Sequence, residues 1–148
     1  MSLLAKLLPE GHVLLNIEVT SKKRLFEQVG LLFENSYGIA RNAVFDSLFA
    51  REKLGSTGLG QGIAIPHGRI KGLKEAHGAF LRLTQPLPFD APDGRPVSLI
   101  FVLLVPELAT EQHLQILSEL AQRFSEREFR DQMGAAPDAA AVLAAFAA

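Results

Sequence analysis

Residues 51–69 read REKLGSTGLGQGIAIPHGR, and the division of this stretch decides how the whole chain is laid out. Glycines at 58, 60 and 62 rule out a helix interior, because so many residues without a Cβ give up too much backbone entropy there. Ile63-Ala64-Ile65 is a short apolar run suited to a buried strand. Pro66 ends it, since proline has no N–H to give a ladder. His67 is therefore expected just past a strand end, on a loop, with Gly68 letting the backbone turn. A polar side chain held on a loop by a rigid strand is a common way to build a site.

Outward from this stretch toward the N-terminus, Val44, Phe45, Leu48 and Phe49 form an apolar stripe on a helix over 41–54, ended by Gly55. Arg51 falls in its last turn, where the helix dipole favours a cation, and so at the mouth of the glycine loop. An earlier helix runs to about Tyr37, capped by Thr20 or Ser21 and stopped by Gly38. Residues 13–19, VLLNIEV, read as the first strand, and residues 3–8 as a helical turn stopped by Pro9. Toward the C-terminus, residues 77–83 read as a strand and the proline-rich 86–96 as a connection. Residues 97–105 are almost continuously apolar, which predicts a central strand buried on both faces.

Thr110 is expected to cap a helix with Leu114, Leu117, Leu120, Ala121 and Phe124 on its apolar face. Ser125-Glu126-Arg127-Glu128 has the pattern of a capping box, and Asp138 can cap a last alanine-rich helix. The order predicts an α/β (α+β) domain, one mixed parallel and antiparallel sheet covered by helices and spanning 1–148.

The chemistry of the central stretch is that of anion handling. A glycine-rich loop presents bare backbone N–H groups that can form a nest, here including Gly58, and Ser56 and Thr57 add hydroxyl donors. Arg51 and Arg69 can supply forked donors matched to phosphate oxygens. His67 is a nucleophile whose neutral form is well populated near neutral pH. Together these point to a histidine that accepts a phosphoryl group.

REKLGSTGLG and GIAIPHG resemble the active-site signature of the mannitol/fructose-type enzyme IIA domains of the bacterial phosphoenolpyruvate-dependent phosphotransferase system. Further along, PLPFDAPDGRPVSLIFVLLVP and ATEQHLQILSELAQRF are similar to the stand-alone nitrogen-regulatory members. The resemblance implies that His67 is the phosphoacceptor, fed by a small histidine phosphocarrier protein that enzyme I charges from phosphoenolpyruvate. It implies a second active-site histidine at His113, where the residue can either hydrogen-bond the moving phosphoryl group or fix the tautomer of His67. It makes Arg51 a phosphate-stabilising residue, and gives Arg69 no counterpart, so that Arg69 reads as partner-facing or solvated. The implied output is regulation of targets such as potassium transporters or sensor kinases. A IIA component serving a separate sugar permease, and a binding module that has lost phosphorylation, stay open beside it.

The remaining composition bounds these readings. Formal net charge is −1, and the only basic cluster is Lys22-Lys23-Arg24, so there is no bulk electrostatic case for nucleic acid. The chain has no cysteine, which removes thiolate catalysis and cysteine-ligated zinc, and no compact metal-ligand motif. GLGQG follows a helix and is not the dinucleotide fingerprint, and no phosphate-loop motif occurs. No cofactor, no membrane insertion and a cytoplasmic setting are expected. His12 and His77 have no chemical neighbours in sequence and read as structural or surface residues. Leu59 and the neighbourhood of Phe89 are candidates for partner docking, against burial in the core.

Overall fold

The computed structural model describes residues 4–108 and 111–148. Two 3-10 turns, Leu4–Leu7 and Glu10–His12, lead into β1 (Val13–Ile17), α1 (Lys22–Tyr37) and α2 (Arg41–Leu54). Four strands follow: β2 (Gly58–Gly60), β3 (Ile63–Ala64), β4 (His67–Ile70) and β5 (His77–Leu87). After β6 (Val97–Pro106) the chain ends in α3 (Glu111–Ser125), α4 (Arg127–Ala135) and α5 (Ala139–Ala147).

The six strands make one mixed sheet in the order β1-β5-β6-β3-β2, with β4 also on β6. β1 and β5 are parallel, β5 and β6 antiparallel, and β3 and β4 both run parallel to β6. As its apolar run requires, β6 is covered on both faces. Leu99, Phe101, Leu103 and Val105 pack with Ile116, Leu120 and Phe124 of α3 and with α4 and α5. Ile100, Val102 and Leu104 pack with Leu25, Phe26, Val29 and Phe33 of α1 and Val44 and Leu48 of α2. The period-two alternation of one strand thus builds two cores.

The caps follow local chemistry. Ser21, not Thr20, accepts the Arg24 N–H at 3.1 Å, and Gly38 ends α1 in the left-handed region at φ 71°. Asp138 accepts the Ala141 N–H at 2.9 Å and opens α5. Three arginines close helix C-termini: Arg82 donates to Met133 O and Ala136 O of α4, Arg123 to Ala145 O and Ala148 O, and Arg130 to Phe124 O and Ser125 O.

Several expectations are corrected. The glycine run is no open loop: β2 and β3 form a hairpin whose turn residues Gln61 and Gly62 both have positive φ, 58° and 80°. His67 begins a strand instead of following one. Register against β6 is kept from Ile63↔Leu99 through His67↔Leu103, so β3 and β4 are one strand line broken at Pro66, which cannot donate to the ladder. β1 stops at Ile17, with a register shift around Asn16, whose φ is 59°. β5 runs on through Pro86 to Leu87, because the proline falls where the pairing with β6 shifts register between Arg82 and Leu87. Ser125 builds no capping box: it is the last residue of α3 and its hydroxyl donates back to Gln122 O at 2.6 Å. Leu114 is 60% exposed, whereas Ile116 is the residue of that turn facing the core. The expected cap at Thr110 lies outside the described residues.

Candidate functional site

β4 lies between α2 and α3, and the three elements enclose a cleft of about 430 Å³. Its lining includes Arg51 and Ser47 from α2, His67 and Arg69 from β4, and His113 and Leu117 from α3. Residues two apart on a strand share a face, so Arg69 accompanies His67. The same face of β6 contributes Leu103 and Val105 as an apolar floor. Gly68, on the opposite face, lets α2 approach: a Cβ there would lie 2.3 Å from Ser47 Oγ and 3.1 Å from Ser47 Cβ. Ser47 Oγ in turn donates to Arg69 O at 2.8 Å and ties α2 to β4.

His67 is half-buried, and its Nδ1 lies 2.9 Å from Ile65 O. A carbonyl only accepts, so Nδ1 carries the proton and Nε2 keeps the lone pair. Burial pushes the imidazole pKa below the ordinary 6.5; the Ile65 hydrogen bond opposes this, the Arg51 charge adds to it, and the Glu52 charge opposes it. The ring is therefore neutral and nucleophilic at neutral pH. Arg51 Nη1 donates to Gly55 O at 2.8 Å, leaving other donors of the guanidinium fork for a ligand. Arg69 Nη1 reaches Glu107 O at 3.5 Å.

Ser56, Thr57 and Gly58 are not among the cleft's lining residues. Both hydroxyls and the Thr57 and Gly58 N–H groups are engaged within the chain. Ser56 Oγ donates to Phe89 O, Gly58 N donates to Ser56 Oγ at 3.1 Å, and Thr57 gives both its N–H and its hydroxyl to Glu52. The structure thus brings His67, Arg51 and His113 to one cleft and sets the three expected phosphate ligands apart from it. Arg69, expected to be partner-facing or solvated, lines the cleft as well, and so does Ser47, which no sequence pattern singles out. Alternation along β4 finds Arg69 once His67 is placed in a strand, whereas nothing local marks Ser47.

Elsewhere, His12 is buried, with Nδ1 donating to Gly78 O at 2.9 Å and Nε2 accepting from Ser36 Oγ at 2.8 Å. His77 stacks on Tyr37 at 4.0 Å between centroids. Phe89 is buried under Lys22, and Leu59 is 47% exposed on the hairpin. A larger cleft, of about 960 Å³, lies along α1 and the start of α2, but it holds no histidine, and its Arg24 and Arg41 pair with Glu27 and Glu34. Among the described residues no three His, Asp or Glu side chains converge on a metal position, and no helix is long and apolar enough to cross a membrane.

The model of the family described as "Phosphoenolpyruvate-dependent sugar phosphotransferase system, EIIA 2" matches residues 6–148. The chain belongs to this EIIA type-2 family. Among relatives, a nitrogen regulatory protein of Pseudomonas aeruginosa is 46% identical over 140 residues, covering 94% of this chain and 91% of its own length. The crystal structure of nitrogen regulatory protein IIA-Ntr from Neisseria meningitidis superposes with a TM-score of 0.93 at 56% identity, covering 97% of this chain and 99% of that one. IIA mannitol from Escherichia coli shares the fold alone, with a TM-score of 0.76 at 18% identity over 93% of this chain and 96% of its own. The EIIA type-2 domain seen here is accordingly of the nitrogen-regulatory kind, a mixed sheet flanked by helices.

Proposed function

We propose that this EIIA type-2 chain is a regulatory phosphocarrier working as one unit over 1–148. Nε2 of His67 accepts a phosphoryl group from the phosphohistidine of a small histidine phosphocarrier protein, and the phosphorylation state then governs binding to targets such as potassium transporters or sensor kinases. The observation that carries the reading is the fixed tautomer: Ile65 O holds the Nδ1 proton, so Nε2 stands as a ready nucleophile in a cleft with two guanidinium groups. Supply from phosphoenolpyruvate makes the cytoplasm its setting.

The step needs little covalent work from the protein. The lone pair of Nε2 attacks phosphorus in line with the donor's N–P bond. As the new N–P bond forms, the old one breaks and its electron pair returns to the donor imidazole. No general base is needed, because Nε2 carries no proton. The ring gains positive charge as it is phosphorylated, which strengthens the Nδ1–H bond to Ile65 O. Arg51 and Arg69 oppose the negative charge of the phosphoryl oxygens, and His113 adds a further donor from α3. Leu54 and Leu114 line the same cleft and are 86% and 60% exposed, and Leu108, 85% exposed, adjoins the Glu107 carbonyl met by Arg69. Such apolar surface beside a site suits transient protein docking.

The test is the intact mass of the chain after incubation with phosphoenolpyruvate, enzyme I and the histidine phosphocarrier. One acid-labile phosphoryl group per chain is expected. No uptake, with a control IIA domain labelled in the same tube, contradicts the reading, and onward transfer to a mannitol- or fructose-type permease domain redirects the output to sugar import. The pH dependence carries a sign. Because burial holds the His67 pKa below that of an ordinary imidazole, its single-turnover phosphorylation rate, corrected for donor ionisation, is expected to fall with acid around a midpoint on the acid side of 6.5, so that more than half of the plateau rate remains at pH 6.5.

A further inference from the structure

Glu52 stands next to Arg51 in the last turn of α2, yet its carboxylate is not among the groups lining the cleft. The side chain is only 6% exposed. Oε1 accepts the Thr57 hydroxyl at 2.6 Å, Oε2 accepts the Thr57 N–H at 3.1 Å, and Lys22 Nζ of α1 reaches Oε2 at 2.8 Å. A carboxylate taken so far out of water is costly unless it is paired and hydrogen-bonded. Here both conditions are met, and two of the three bonds go to one residue.

That residue leads on to the site. Thr57 O accepts the Ile65 N–H at 3.1 Å, and Ile65 O accepts the His67 Nδ1 proton at 2.9 Å. The segment being held is soft by composition: Gly55 and Gly58 flank Ser56 and Thr57, and glycine gives a backbone little preference of its own. Ile65 precedes Pro66, between the paired segments of β3 and β4, and its own N–H is held by Thr57 O. Glu52, Thr57, Ile65 and His67 thus form a continuous line of hydrogen bonds from a buried carboxylate to the imidazole.

We infer that Glu52 is a positioning residue for His67, acting through Thr57 and Ile65 to hold in place the carbonyl that takes the Nδ1 proton. The inference rests on the reading of His67 as the phosphoacceptor and adds what keeps it ready. An imidazole side chain left to itself prefers its proton on Nε2, the nitrogen that must attack. The Ile65 carbonyl reverses that preference only while it stays within reach, since the tautomer is set by the bond the other nitrogen makes. Glu52 therefore does, through two intervening residues, what a carboxylate bonded directly to a catalytic histidine does elsewhere. Its charge also acts on the ring in the sense opposite to that of Arg51.

The test compares wild type, Glu52→Gln and Thr57→Val, with Val142→Ala in α5 as a control destabilised away from the site. Glutamine that keeps an acceptor for the Thr57 hydroxyl turns its NH₂ toward both donors that Oε2 serves, Lys22 Nζ and the Thr57 N–H. Valine removes the hydroxyl and leaves the N–H bond. Two quantities are read: the tautomer of His67 by nitrogen-15 NMR, and the rate of phosphoryl uptake at saturating phosphorylated donor against the donor KM. Wild type is expected as the Nδ1–H form. Glu52→Gln is expected to show an Nε2–H population and a maximal rate lower by about tenfold, with the donor KM changed less than about twofold. Thr57→Val should shift both in the same direction by less, and Val142→Ala should shift neither.

A folded Glu52→Gln protein with the wild-type tautomer and rate overturns the inference, and if that protein does not fold, the same result from Thr57→Val overturns it. Wild type that takes up no phosphoryl group defeats the carrier reading instead, and the NMR arm still decides whether Glu52 sets the tautomer.

Discussion

His67→Gln is expected to fold and to accept no measurable phosphoryl group under conditions that label wild type fully. Glutamine loses the Nδ1 bond to Ile65 O, a cost to stability of about 0.5–1.5 kcal/mol, which a domain with both faces of its sheet covered can absorb. What it cannot replace is the nucleophile, since an amide nitrogen has no lone pair free to attack phosphorus. His113→Ala separates nucleophile from stabiliser. On the reading proposed here it leaves phosphoryl uptake possible but slower by about a hundredfold, the usual scale for removing one donor at a developing charge. Both effects are read from single-turnover labelling followed by intact mass. Full labelling of His67→Gln would move the acceptor elsewhere in the chain, and an unchanged rate for His113→Ala would make that histidine a bystander of the cleft.

Gly68→Ala is the second large effect, and it acts without touching a charged group. The added methyl would sit 2.3 Å from Ser47 Oγ, 3.1 Å from Ser47 Cβ and 3.3 Å from the Ser47 carbonyl carbon. Rotating the hydroxyl relieves only the first of these and breaks its 2.8 Å bond to Arg69 O. The remaining strain must be taken up by moving α2 away from β4. Overpacking of this kind costs about 1–3 kcal/mol, and it shifts Arg51 on α2 relative to His67 on β4. A displacement of 1 Å can cost about a hundredfold in rate, so the loss of phosphoryl uptake is expected to exceed what the loss of stability alone explains. Ser47→Gly removes the facing Cβ and hydroxyl. Chemical denaturation should show the double variant to be less destabilised than the two single variants added together, with a coupling of about 0.5–3 kcal/mol. Simple additivity would mean that the contact between α2 and β4 is not what demands glycine.

Much of this architecture is legible because local chemistry and tertiary packing agree. The apolar run of β6 fixes the centre of the sheet, Ser21 and Gly38 bracket α1, and Asp138 opens α5. The hairpin at 58–64 escapes because glycine and proline report turns far more strongly than short strands. Only positive φ at both Gln61 and Gly62, a property of the folded backbone, shows the turn to be a hairpin. Leu114 misleads for a different reason. Helical spacing cannot tell a core face from a functional rim, and this leucine lines the cleft.

At the site, nucleophile and cation stand out by their residue types and by the family signature, so His67, Arg51 and His113 can be named from sequence. Ser56 and Thr57 have equally suggestive hydroxyls, but these are spent on Phe89 O and Glu52. Hydrogen-bond partners 5 and 33 residues away are not readable from composition. Glu52 escapes in the same way, because its partners are fixed only by how the chain turns back after α2.

On the function proposed here, the Ile65 carbonyl leaves Nε2 of His67 as the attacking nitrogen. The most direct measurement is nitrogen–phosphorus coupling by NMR in the phosphorylated, nitrogen-15-labelled protein. The coupling is expected at Nε2 of His67, with the proton still on Nδ1. Coupling at Nδ1, or at any other histidine of the chain, would contradict it.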